Sequence, residues 1–166
     1  MKHKVWLLIT LFMLLAMPMA SAEIQTHYNG NSDYPMVDLH QGYVTYIDKT
    51  SLYVRLYAPP NYWVSVVTFV ADDYGNGTAF NYKSHEFDYV YNDPDMFINR
   101  NGPRERWYPL FEHGRPNYEL MKIGEAAFYL EYGIRFYGRQ KWLSKNTGTY
   151  EECLPDEFYD ILDNKK

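Results

Sequence analysis

The chain has 166 residues, with sixteen Lys and Arg against twenty-one Asp and Glu, a formal charge of −5. An acidic balance lacks the basic face that nucleic acid or an anionic membrane requires, which excludes both as partners. The single cysteine, Cys153, excludes an internal disulfide.

Residues 1–22 read as a cleaved secretory signal. Lys2 and Lys4 form a positive start, 5–17 is an apolar run, Pro18 breaks it, and Ala20 and Ala22 place small residues at −3 and −1. A spanning helix needs about 20 apolar residues, more than this run supplies. Cleavage removes 22 of the 166 residues and leaves 144 from Glu23, one domain by length. It also removes two of the sixteen basic residues and no acid, so fourteen stand against twenty-one and the mature charge is −7. The expected location is periplasmic or extracellular, with no stable membrane span after cleavage.

Residues 23–41 are rich in turn formers and are expected to be an irregular lead-in to a single domain over 42–166. The segments 42–48 and 51–58 alternate as strands. In the second, Leu52, Val54, Leu56 and Ala58 share one face, and Tyr53, Arg55 and Tyr57 the other. Pro59 and Pro60 make a turn, 62–71 is apolar on nearly both faces like a central strand, and 72–77 is a second turn. Asn76 there begins an N-G-T glycosylation acceptor, irrelevant under bacterial export. Phe80 and Tyr82 have one parity and Phe87, Tyr89 and Tyr91 the other, which predicts a bulge near Lys83–Glu86.

Residues 92–116 read as a long loop with one short strand. A long helix follows, capped by Asn117, with Leu120, Ile123, Ala127, Leu130, Ile134 and Tyr137 as its buried stripe and Gly138 as its stop. Ala126 and Gly133 would let it lie close to the sheet, and Glu131 and Arg135 would pair on its outside. A short helix over 155–163 turns Phe158, Ile161 and Leu162 inward. The class is α+β: an antiparallel meander of four to five strands with two C-terminal helices.

Chemistry-bearing residues are concentrated in "HEFDYVYNDPDMF", residues 85–97. A strand sends His85, Phe87, Tyr89 and Tyr91 to one face and Glu86, Asp88 and Val90 to the other, so acid and histidine do not converge. The acids are expected on a wet face. Asn92, Asp93, Asp95 and Asn99 are hard oxygen donors, but their spacing fits no calcium loop. His40, His85 and His113 have no partner at metal-site spacing. No catalytic, cofactor or metal site is therefore assigned. Beside Glu151 and Glu152, Cys153 is disfavoured as a nucleophile, because neighbouring carboxylates raise a thiol's pKa. A disulfide between two copies is its other use. Eighteen tyrosines suit a half-wet sheet or a binding surface. Tyr53, Arg55 and Tyr57 form the candidate ligand-binding patch, fit for a sugar ring or a peptide unless the helix or 92–116 covers them.

Four segments, Tyr46–Ser51, Pro59–Tyr62, Gly124–Tyr129 and Phe136–Gly138, give the pattern Y-I-D-x-[ST]-S, P-P-x-Y, G-E-x-A-F-Y and F-Y-G. In these the chain resembles a family of small, uncharacterised secreted proteins of diderm bacteria. The resemblance implies location and fold and no catalytic residue. The functional expectation is a non-catalytic binding module of the bacterial envelope, with a protein or carbohydrate partner. The alternative is an envelope hydrolase with a carboxylate and histidine site assembled from distant residues.

Overall fold

The computed structural model describes residues 23–93, 95–99, 107–109, 117–143 and 148–165. The cleavage residues Ala20 and Ala22, and His113, lie outside the described residues. Six strands run antiparallel in chain order: β1 (Met36–His40), β2 (Tyr43–Ala58), β3 (Asn61–Ala71), β4 (Ala79–Val90), β5 (Met96–Asn99) and β6 (Trp107–Pro109). Two helices follow, α1 (Tyr118–Tyr132) and α2 (Asp156–Leu162), with a small hairpin of β7 (Lys141–Leu143) and β8 (Tyr150–Glu152) between them. The fold is the expected α+β meander. Residues 92–116 supply two of its strands rather than one.

Each face of the sheet has its own core. Ile47, Val64, Val66, Phe87, Tyr89, Met96 and Ile98 pack under α1 and α2, against Met121, Ile123, Ala127, Phe128, Phe158 and Leu162. The other face buries Val44, Tyr46, Phe69 and Ala71 beneath Tyr28 and Tyr34. The lead-in is therefore not irregular throughout. It contains β1, and its first part lies over the second core. It is also tied down: Tyr46 donates its hydroxyl to Gln25 O at 2.7 Å, Asn76 Nδ2 donates to Glu23 O at 3.2 Å, and His27 Nε2 donates to Ile161 O at 3.1 Å.

Three boundaries differ from the alternation. The segments 42–48 and 51–58 form one strand, β2, with irregular register between Asp48 and Tyr53 and between Val54 and Leu56. The bulge in β4 lies earlier than Lys83–Glu86. Thr68 pairs with Lys83 and Val70 with Phe80, so Asn81 and Tyr82 together oppose Phe69. Asn81 has a φ of +54°, a left-handed conformation that asparagine tolerates. The helix ends at Gly133 rather than Gly138. Gly133 has a φ of +66° and donates its N–H to Tyr129 O at 2.7 Å, a left-handed cap.

That early stop changes which residues of α1 are buried. Met121, Ile123, Gly124, Glu125, Ala126, Ala127 and Phe128 are buried, Leu120 and Leu130 are half-buried, and Ile134 is exposed beyond the cap. The close approach to the sheet occurs at Gly124, where an added Cβ would land on the Met96 sulfur and stand 3.1 Å from the Phe87 ring. Arg135 pairs with Asp156 at 2.7 Å instead of with Glu131. In α2, Phe158, Tyr159 and Leu162 are buried, while Ile161 is half-buried.

Candidate functional site

The expected patch of Tyr53, Arg55 and Tyr57 does not form one surface. The bulge at Arg55 resets the alternation of β2: Val54 pairs with Val64, and Leu56, not Arg55, pairs with Trp63. A two-against-one step of this kind moves every later side chain to the other face. Tyr53 therefore faces away from α1, where Arg55 lies 5.1 Å over its ring and reaches Glu86 at 3.3 Å. Tyr57 lies on the helix side, with its ring against Tyr62 and Tyr132 at 5.7 Å each.

The stretch 85–97 behaves as alternation requires. His85 pairs with Val66 and Phe87 with Val64 on the α1 face, while Glu86 pairs with Ser65 on the opposite face. His85 is bonded to the Thr68 hydroxyl at 2.9 Å, and burial, helped by nearby Lys83, holds its pKa down at about 4. The acids are less wet than expected. Glu86 is 23% exposed, holding Arg55 and accepting from Asn99 Nδ2 at 3.0 Å, and burial pushes the Asp88 carboxyl above its ordinary range. Asp95 accepts the Tyr137 hydroxyl at 2.5 Å and its oxygen also takes the Met96 N–H at 2.9 Å. Among the described residues, no three of His, Cys, Asp and Glu are grouped to hold a metal ion.

The one fully buried carboxylate among the described residues is Glu125, which sequence reasoning passed over because it interrupts an apolar face. Its Oε1 accepts from Phe136 N at 2.9 Å and Tyr159 Oη at 2.8 Å, and its Oε2 accepts from Tyr137 N at 2.6 Å. Burial pushes its pKa up against the pull of these bonds. Cys153 is half-buried nearby, and burial together with Glu125 raises its thiol pKa. Every polar contact of Glu125 goes to the segment after α1 or to α2, so its role is to hold structure.

A cleft of about 430 Å³ opens on the α1 face, at the end of the sheet where β1 turns into β2. Asp38, His40, Tyr43, Thr45 and Val70 line its sheet side, and Tyr118 and Glu119, at the start of α1, face them. The two-residue turn at Gln41 and Gly42, both with positive φ, sets Tyr43 beside the mouth. Asp38 is paired with Lys122 Nζ at 2.5 Å, and the Thr45 hydroxyl donates to Glu119 Oε1 at 3.4 Å. The rim is aromatic and open: Tyr43 is 51% exposed, Tyr118 53%, and Phe80, edge-to-face with Tyr43 at 6.2 Å, 43%. Sequence reasoning missed this site because its residues come from three segments far apart in the chain, 38–45, Val70 and 118–119. His40 was noticed only for lacking a partner at metal-site spacing.

No protein-family model, curated protein or solved structure matches the chain. No described helix is long and apolar enough to cross a membrane.

Proposed function

We propose that the chain is an exported, non-catalytic binding module of the bacterial envelope, taking a carbohydrate or peptide ligand in the cleft between β1, β2 and the start of α1. The observation that carries the reading is the pair of exposed aromatics lining the cleft, Tyr43, with Phe80 against it, and Tyr118, beside the partnered polar groups of Asp38 and Thr45. Exposed rings grouped at a concavity have no structural reason to stay uncovered, and they are the usual contact surface of a ligand site. The hydrolase alternative cannot use His85 with Glu86, which point to opposite faces of β4; it would have to use His40 with Asp38 or Glu119, which line the cleft itself. General acid–base chemistry needs both groups within reach of one substrate atom.

The test is titration of the purified protein with envelope saccharides and short peptides, followed by the amide NMR signals of Tyr43, Thr45 and Glu119. Saturable shifts at these residues, without conversion of the ligand, support the reading. Product formation would move the protein to the hydrolase class. Export is tested by intact mass: a chain beginning at Glu23 is expected, and one retaining Met1 overturns it. Nonreducing electrophoresis of the same sample tests for a disulfide dimer through Cys153.

A further inference from the structure

We infer that the ligand of this cleft is an uncharged saccharide of one or two rings. The inference rests on the cleft being the binding site, and it follows from how the cleft's charges are disposed. Asp38 and Lys122 form a closed pair at 2.5 Å. Glu119 lies in the first turn of α1, where the positive end of the helix compensates a carboxylate. The cleft is thus rich in polar atoms, with Asp38 paired to Lys122 and with Glu119 and His40 as its remaining ionisable groups. An anionic ligand would face Asp38 and Glu119 and could reach Lys122 only by breaking its pair with Asp38, a costly step in a partly buried setting. A polyhydroxylated ligand breaks nothing. Its hydroxyls donate to the carboxylate oxygens not engaged inside the protein, Asp38 Oδ2 and Glu119 Oε2, and accept from the hydroxyls of Tyr43 and Tyr118.

The rings complete the recognition. A pyranose has a C–H face that packs on the flat of an aromatic ring and an equatorial edge of hydroxyls that seeks charged acceptors. Here Phe80 meets Tyr43 at 81° between planes, so the Tyr43 ring is braced from the side. Tyr118 stands on the helix side of the same cleft. The volume of about 430 Å³ lies at the small end of ligand sites, which run from roughly 300 to 1,000 Å³, and leaves no room for a long oligomer. A quaternary ammonium ligand would use the rings and Glu119 but not the hydroxyls of Tyr43 and Tyr118. A peptide would align with the outer edge of β1. Both therefore enter the test as competitors.

The experiment titrates the purified protein with cellobiose, maltose and N,N′-diacetylchitobiose, and in parallel with tetramethylammonium chloride and the dipeptide Ala-Ala. Calorimetry and amide NMR give the readout. At least one disaccharide is expected to saturate with a Kd of about 0.1–10 mM and to shift Tyr43, Thr45 and Glu119. Tyr43→Ala should weaken it at least tenfold, while Tyr53→Ala, on the opposite face, should leave it unchanged. If Tyr43→Ala fails to fold, Tyr118→Ala takes its place. Failure of all three disaccharides to saturate overturns the saccharide assignment. Tyr43-dependent binding of tetramethylammonium or Ala-Ala instead would overturn it while keeping the cleft as the site. If no probe moves the cleft signals, both readings fall.

Discussion

Glu125 and Tyr137 are joined by a 2.6 Å hydrogen bond from the tyrosine's backbone N–H to the glutamate's carboxylate, with both residues buried. The bond fastens the segment that follows α1 back onto the helix that precedes it. The second carboxylate oxygen adds Phe136 N and the hydroxyl of Tyr159, so one side chain joins α1, its following loop and α2. Glu125→Ala would leave these donors buried without acceptors, at a cost of about 3–5 kcal/mol. Glu125→Gln, which keeps one acceptor, should cost about 1–3 kcal/mol. Urea unfolding measures both. A loss for the alanine variant below about 1 kcal/mol would show that water replaces the carboxylate.

Gly124 sets the spacing between α1 and the sheet. Alanine is the better helix former by about 1 kcal/mol, yet its methyl would meet the Met96 sulfur and the Phe87 ring. Gly124→Ala should therefore destabilise by about 1–3 kcal/mol through overpacking. In a Met96→Ala background the new methyl gains room, and the two substitutions should cost less together than the sum of their separate effects. Simple additivity would mean that the helix moves off the sheet freely.

The buried side of α1 is tested by a pair of truncations. Phe128, fully buried among Tyr62, Tyr89 and Phe136, should cost about 3–5 kcal/mol as Phe128→Ala. Leu130 is only half-buried, so Leu130→Ala should cost clearly less, about 1–2 kcal/mol. Equal losses in thermal or urea unfolding would contradict this orientation of the helix.

Acid should weaken the fold through His85. Burial holds its folded pKa at about 4, below the ordinary 6.5, so the folded state favours the neutral ring. As pH falls below about 6.5 the unfolded chain takes up the proton first. This contribution to stability is complete above about 6.5 and is lost between about 6.5 and about 4, amounting to roughly 2–3 kcal/mol at most. His85→Gln, which keeps a partner for Thr68 but does not titrate, should flatten the pH dependence of the urea midpoint over that window. An unchanged slope would assign the acid sensitivity to other groups.

The meander and both helices were legible because period-two and period-3.6 patterns report burial directly. Bulges do not announce themselves in the same way. In β4 the change of parity after Tyr82 signalled a bulge but not its place at Asn81; at Arg55 the residue types continue a plausible alternation while the backbone takes an extra step, and only pairing with the neighbouring strand reveals the slip. For Tyr53 and Tyr57 that step separated two residues that looked like one patch. The end of α1 was misplaced because Ile134 and Tyr137 prolong the helical period beyond Gly133; Tyr137 is indeed buried, but from the segment after the helix. Glu125 was invisible for a different reason. A charge on an apolar face reads as a flaw until the amides it binds are known. The cleft was the least legible feature, since nothing local links the β1–β2 hairpin that carries Asp38 and Tyr43 to Val70 or to Tyr118.

The contact of His27 with Ile161 puts the first and last parts of the fold side by side. Force applied between such ends would peel the lead-in and α2 away one contact at a time, instead of shearing the sheet along its strands. Peeling loads few hydrogen bonds at once and yields at low force.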